Sequence, residues 1–279
     1  MYKSVFVTGA SSGIGEACAV HLAQKGFRVF AGARRVEKLQ ALTGLAGGRI
    51  IPVELDVTDE GSIARAVEYV EAEGDLYALI NNAGVSVMGP TEQVPLAQWR
   101  AQYETNVFGV VAMIQAVLPG MRARKTGRIV NIGSIAGRIA APFQGAYASS
   151  KHAVEGVSDS LRREVEPFGI KVSVIRPGFI NTPFGEMEQE SLRTYESEDA
   201  PYGKWVSAFR EWHAKGHPAA PGPSVVAEAA HHALTAERPN SRYVVPGKDL
   251  PSIVLRNLLP SAASDRMLKR IFKLGSLKP

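Results

Sequence analysis

The stretch Ser4-Val5-Phe6-Val7-Thr8-Gly9-Ala10-Ser11-Ser12-Gly13-Ile14-Gly15 decides how this chain folds. Its first five residues form a short apolar, β-branched run of the kind that makes a buried strand. A glycine-rich turn follows at once, and residues 15–24 carry the pattern of an amphipathic helix. A turn placed between a strand and a helix N-terminus lets backbone N–H groups approach a pyrophosphate, where the helix dipole favours the anion. Side chains at the glycine positions would block that approach. Gly9, Ser11, Ser12, Gly13, Ile14 and Gly15 are therefore a candidate phosphate-binding turn. Their Gly-x3-Gly-x-Gly spacing departs from the Gly-x-Gly-x2-Gly fingerprint, so a turn without a ligand stays open on these residues alone.

Outward from the turn, strand-like runs recur at 29–33, 50–55, 76–81, 128–132 and 172–175. Helical patterns lie between them, at 60–73, 99–122 and 148–166. This alternation predicts an α/β protein: a Rossmann-type, doubly wound parallel sheet that binds ligands at the carboxyl ends of its strands. The rhythm stops after Pro177-Gly178. Residues 179–222 form a long insertion, acidic between Glu186 and Asp199, in which Tyr202, Trp205, Phe209 and Trp212 recur at helical spacing. A helix resumes at 225–234, a last strand follows at 241–245, and residues 249–279 read as a basic, amphipathic helical extension. No repeat or linker divides the chain, so residues 1–279 are expected to form a single domain.

With 45% hydrophobic and 21% charged residues over 279 positions, the composition is that of a globular protein with one large core. Cys18, the single cysteine, excludes an internal disulfide; it shares a helical face with Ile14 and Leu22 and reads as a core residue. The chain opens without a charged leader and apolar stretch, and no apolar run reaches the ~18 residues that span a bilayer, so a cytoplasmic protein is expected. The net charge of +5 lies in the tail. From Lys248 onward, Lys248, Arg256, Arg266, Lys269, Arg270, Lys273 and Lys278 face only Asp249 and Asp265. A nucleic-acid binder would carry a basic stripe across its fold, so no nucleic-acid partner is expected. His231-His232 have no partners at ligand spacing, and no metal site is expected.

The second strand-like run ends in Ala33-Arg34-Arg35. An acid here would bond a ribose 2′-hydroxyl, whereas a guanidinium binds a 2′-phosphate with paired hydrogen bonds. The arginines favour NADP(H) over NAD(H), against the plainer reading that they open a solvated helix.

Thr8 to Gly15 is followed, in order, by Asp56-Val57, Asn81-Asn82-Ala83-Gly84, Asn106, Ser134, Tyr147-x3-Lys151 and Pro177-Gly178. Each is weak alone. In this order the chain closely resembles the short-chain dehydrogenase/reductase family in its single-domain form, over about residues 3–182 and more loosely to Val245. Gly-x3-Gly-x-Gly is that family's own spacing. The resemblance implies that Gly9, Gly13 and Gly15 cradle the dinucleotide and that Asp56 and Val57 meet its adenine. It places Asn82, Ala83 and Gly84 beside the adenosine, and Pro177, Gly178, Ile180 and Thr182 at the nicotinamide end. It makes Asn106, Ser134, Tyr147 and Lys151 a catalytic tetrad, with Tyr147 and Lys151 also touching the cofactor.

The nicotinamide carries the hydride in such enzymes, so the protein positions a carbonyl and manages one proton. Tyr147 and Lys151 stand four apart on a helix and share a face. An unperturbed tyrosine has a pKa of ~10, and a nearby ammonium is expected to lower it. Ser134 follows the 128–132 strand, which brings its hydroxyl within reach of a substrate oxygen. The resemblance implies that Asn106 sits at a local helix distortion and relays protons to Lys151 through a water. Tyr147 is then the general acid in reduction and the base in oxidation.

By the resemblance, the insertion at 179–222 occupies the family's variable substrate loop, and long insertions of this kind are often functional lids. Phe143, Gln144, Phe184, Met187, Trp205 and Phe209 join Ser134 and Tyr147 as candidate substrate contacts, although the aromatic stripe reads equally as core packing. The overall pattern resembles hydroxysteroid, retinol and acyl-dihydroxyacetone-phosphate reductases, which implies a bulky hydrophobic ketone or aldehyde and its alcohol. Leu268, Ile271 and Phe272 among Lys269, Arg270 and Lys273 suit either peripheral contact with an anionic membrane or a helix covering the core or a partner subunit. The resemblance also implies a homodimer or homotetramer, packed through the helices of Asn106 and Tyr147. A non-catalytic NADP(H) sensor is disfavoured by the intact tetrad. Nucleotide-sugar epimerases and dehydratases share Tyr-x3-Lys but have a longer chain and a Gly-x2-Gly-x2-Gly turn.

Overall fold

The strands are β1 (Ser4–Thr8), β2 (Arg28–Ala33), β3 (Ile50–Glu54), β4 (Leu76–Asn81), β5 (Gly127–Ile132), β6 (Ile170–Pro177) and β7 (Arg242–Val245). All pair in parallel in one sheet, ordered β3-β2-β1-β4-β5-β6-β7. The computed structural model describes residues 2–197, 199–216, 219–251 and 259–272. Strand order reverses between β1 and β4, and a crevice opens at the carboxyl ends of such a switch point. This is the expected doubly wound α/β fold.

Alternation along β1 explains the two covering layers. Val5 and Val7 point to one face, where α1 (Gly13–Gln24) and α9 (Ser224–Thr235) bring Cys18, Leu22, Val226 and Ala230. Phe6 points to the other, where α3 (Glu60–Ala72), α5 (Gly109–Ala123) and α6 (Gly145–Val165) bring Ile63, Met113, Val117 and Leu161. Cys18 is fully buried, and burial pushes its thiol up to about 12, which makes it inert as a nucleophile.

The helix expected over 99–122 is longer and interrupted. It comprises α4 (Leu96–Tyr103), one widened π turn at Glu104–Phe108, and α5. By length and composition alone Leu96–Ala123 could cross a membrane, but Val110, Ile114 and Met121 turn inward onto the sheet. Between β2 and β3 lies α2 (Val36–Thr43), which buries Leu39 and Leu42.

The insertion holds the helix that its aromatic spacing marks and one more that the sequence did not mark. Two helices occupy it, α7 (Phe184–Arg193) and α8 (Gly203–Gly216). With Met88 they build a third small core around Leu192, Val206 and Phe209. Helix α10 (Ser261–Ile271) closes this core: Leu268 packs against it and Phe272 is buried, its ring 5.4 Å from Phe209 and 4.6 Å from Trp212. Lys269, Arg270 and Ile271 face outward. The tail helix therefore covers the core with most of its apolar side; Arg256, Lys273 and Lys278 lie outside the described residues.

Candidate active site

The carboxyl ends of the central strands open into a cavity of about 460 Å³. Ser11, Ser12, Gly13, Ile14, Arg34 and Arg35 line one end, Asn82, Ala83 and Gly84 the middle, and Ser134, Tyr147 and Lys151 the far wall. Pro177, Gly178, Ile180 and Thr182 close that wall from the β6 side.

The phosphate turn has the build its glycines require. Gly9 adopts φ +65°, and a Cβ there would sit 2.7 Å from Ala83 Cα. Gly13, at φ +59°, comes close to Thr182, whose Cβ would lie 3.3 Å from a side-chain Cβ placed there. Asn82 Nδ2 donates to Thr8 O (3.0 Å) and Gly9 O (3.1 Å), which pins the turn to β4. No side chain caps the N-terminus of α1, which leaves its first N–H groups available to an anion, and the cradle fits a dinucleotide pyrophosphate. Gly15 differs from expectation. It is absent from the cavity wall, and a Cβ there would collide with Gly9 O and Asn82 Nδ2, so its role is close packing of α1 on the turn.

Arg34 and Arg35 are exposed at the outer end, beside Asp56 and Val57. Burial pushes the Asp56 carboxyl up, but hydrogen bonds from the Thr58 backbone and hydroxyl, with the Arg34 charge, outweigh it and leave it below the ordinary range.

Ser134 is presented just beyond β5. Its Oγ accepts from Ala136 N (3.0 Å) and donates to Pro177 O (3.5 Å). Tyr147 and Lys151 lie one turn apart on α6 and are both buried. Lys151 Nζ donates to Ile132 O (2.9 Å) and stands 5.7 Å from the centre of the Tyr147 ring. Burial holds Lys151 down at about 8. The expected lowering at Tyr147 does not occur: burial first and then the Glu188 charge push its phenol up, against a smaller downward pull from the Ser134 hydrogen bond. Desolvation outweighs the lysine's field at the phenol.

Asn106 lies in the widened turn, where a distortion is expected, but behind the cavity wall; Thr105 faces the cavity instead. Asn106 Oδ1 accepts from Val85 N (2.9 Å), and Nδ2 donates to Val85 O (3.0 Å) and Ser150 Oγ (3.3 Å). Ser150 in turn donates to Tyr147 O (2.7 Å). The amide thus ties the chain after β4 to the turn of α6 that carries Tyr147. Gln102, which sequence reasoning passed over, braces the same loop through Val87 N and Val85 O, each at 2.7 Å.

Of the candidate substrate contacts, Gln144, Phe184 and Met187 line the cavity. Phe143, Trp205 and Phe209 do not: Phe209 is fully buried, the Phe143 ring packs on it at 5.6 Å, and Trp205 lies off the wall. The stripe on α8 faces the small core, and only Trp212 at its end reaches the cavity. Phe179, Glu188, His213 and Phe272 also line it. In the sequence Glu188 is one acid among several and Phe272 one apolar residue of a tail.

A family model described as short chain dehydrogenase matches residues 3–193. The chain is 35% identical over 277 residues to the NADPH-dependent 3-dehydrocapnine reductase of Ornithobacterium rhinotracheale, covering 95% of this chain and 94% of that one. It is 36% identical over 282 residues to retinol dehydrogenase 5 of Homo sapiens, covering 95% and 87%. The crystal structure of a short-chain dehydrogenase/reductase from Burkholderia phymatum, in complex with NAD, superposes with a TM-score of 0.80 at 26% identity, covering 92% and 93%. Fold, ordered motifs and matches agree, and the chain belongs to the short-chain dehydrogenase family of oxidoreductases.

Proposed function

We propose that the protein interconverts a hydrophobic ketone or aldehyde and its alcohol with NADP(H), using Tyr147 as the proton donor and acceptor. The observation that carries this reading is the convergence of Ser134, Tyr147 and Lys151 on one cavity wall, between the phosphate cradle and an apolar end lined by Phe179, Phe184, Met187, Trp212 and Phe272. One named relative is an NADPH-dependent reductase and another a retinol dehydrogenase, which supports reductase or alcohol dehydrogenase chemistry here.

The nicotinamide supplies or accepts the hydride when bound. The Tyr147 hydroxyl gives its proton to the carbonyl oxygen, and the Ser134 hydroxyl holds that oxygen in place. Burial keeps Tyr147 protonated beforehand, the form a reduction needs. Lys151, held near 8, stabilises the phenolate left behind and can pass a proton on. Asn106 positions α6 from behind the wall. Arg34 and Arg35 take the 2′-phosphate, which is why NADP(H) is preferred although a structural neighbour holds NAD. Leu96 and Phe108, exposed on α4 and the widened turn, are the apolar contacts for a homodimer.

Tyr147→Phe should keep its NADPH dissociation constant while kcat falls about 10²–10⁴-fold, the usual worth of a general acid. Substantial turnover in that variant would overturn the mechanism.

A further inference from the structure

Gln144, Tyr147 and Lys151 share one face of α6, and all three line the cavity. The helical rise puts Gln144 about 4.5 Å before Tyr147 and Lys151 about 6 Å beyond it along the axis. By the family resemblance Lys151 serves the cofactor, so Gln144 stands on the substrate side of the proton donor. Its backbone is engaged: the N–H donates to Ala141 O (3.3 Å) and the carbonyl accepts from Ala148 N (2.7 Å). Its half-buried side-chain amide hydrogen-bonds to none of the described residues. The other polar side chains at this end already have partners. Ser134 is bonded to Ala136 N and Pro177 O, Glu188 meets His213 and Ser86, and His213 meets Gln189. The backbone just before Gln144 is also held in an unusual form. Phe143 has φ +62°, a left-handed conformation that is strained for a bulky aromatic residue. Gly89 N donates to Phe143 O (2.8 Å) and the Phe143 ring packs on Phe209, so contacts from two directions fix how the chain enters α6.

A hydrocarbon chain laid against this amide would strip it of water and offer it no hydrogen bond. An oxygen would complete it: the amide nitrogen can donate to a carbonyl or hydroxyl oxygen, and its own oxygen can accept from a hydroxyl. We propose that Gln144 is a specificity-determining residue that hydrogen-bonds a second oxygen on the substrate, two carbons from the reacting carbonyl carbon. The preferred substrate is then a β-hydroxy ketone or a β-keto ester with an apolar tail. This rests on the reductase reading above. The spacing sets the separation, because about 4.5 Å of helical rise suits oxygens on alternate carbons and is too short for one at the far end of a long tail. The tail lies against Phe184, Met187, Trp212 and Phe272.

Calorimetric titration of the NADPH-loaded protein with nonane-2,4-diol and with 4-nonanol tests this, since neither alcohol can react with the reduced cofactor. The diol holds its second hydroxyl more strongly in water, so a wall that offers that group no partner binds the diol more weakly. With Gln144 as the partner, the diol should bind about five- to tenfold more tightly than 4-nonanol. Gln144→Met, which keeps the length and loses the amide, should erase that preference. Gln144→Asn, which keeps a shorter amide, should retain part of it. Equal or weaker binding of the diol to the unaltered protein, or a preference that survives Gln144→Met, overturns the inference. In a parallel assay, 2-hydroxy-4-nonanone and methyl 3-oxooctanoate should exceed 4-nonanone in kcat/KM. A gain for one of the two alone supports the inference and assigns the second oxygen as hydroxyl or ester. Turnover of all three without preference counts against the inference alone. Turnover of none counts against the reductase reading, while the binding comparison still decides the role of Gln144.

Discussion

Lys151 carries its charge where the surroundings resist it. It is 6% exposed, and burial brings it from 10.5 down to about 8. That displacement corresponds to about 3 kcal/mol of folding free energy set against the catalytic arrangement. Below about pH 8 the folded state must hold the ammonium, and the full cost applies. Between about 8 and 10.5 the folded protein binds fewer protons than the unfolded chain, so the cost fades as pH rises. Lys151→Met should therefore abolish turnover yet raise Tm by a few degrees at pH 7, and the gain should shrink toward pH 10. Differential scanning calorimetry across that range checks both the sign and the window. Arg34 makes a simpler prediction. Arg34→Asp replaces a phosphate-binding guanidinium with a repelling carboxylate, so the KM for NADPH should rise about tenfold or more while that for NADH changes little. An unchanged NADPH value would remove the basis of the NADP(H) preference. Both residues were legible in the sequence by position, Lys151 from its spacing to Tyr147 and Arg34 from its place after β2. The protonation balance of Tyr147 and Lys151 was not, because it depends on what buries them.

Helix α8 shows what periodicity reveals and what it withholds. The spacing of Tyr202, Trp205, Phe209 and Trp212 marks a helix with an apolar side, and the helix is there. Periodicity names a side but not its partner. Most of that side meets the small core of Met88 and Leu192, and only Trp212 reaches the cavity. Helix α10 is the counterpart, a tail element whose Phe272 joins both that core and the cavity wall. Phe272→Ala should cost about 3 kcal/mol in a urea titration, as large aromatic truncations do. The same variant should raise KM for a hydrophobic ketone more than it lowers kcat, because the ring touches the apolar end and not the reacting group. An unchanged KM would show that α10 only packs.

At the scale of the molecule, two helical layers cover the sheet, and the cap of α7, α8 and α10 covers one end of its crevice. Phe108 remains 55% exposed on the side of the widened turn away from the sheet. A homodimer packed there should appear in light scattering as twice the 30.0 kDa chain mass or more, and Phe108→Glu should shift it toward monomer. A monomer in the unaltered protein would refute that arrangement.

What the chain determined by itself was everything set by neighbours in sequence. The strand–turn–helix of residues 4–24, the i, i+4 pairing of Tyr147 with Lys151, the arginines after β2 and the strand–helix alternation all follow from local spacing and local backbone needs. Tertiary structure alone decided the rest. Gly15 serves packing because Asn82 comes back from β4 to meet the turn. Asn106 braces α6 because Val85 and Ser150 converge on it. Glu188 shares the cavity wall with Tyr147, and its charge reaches the phenol, because α7 folds over the carboxyl end of the sheet. Burial and electrostatic environment are sums over residues far apart along the chain, and no local pattern carries such a sum.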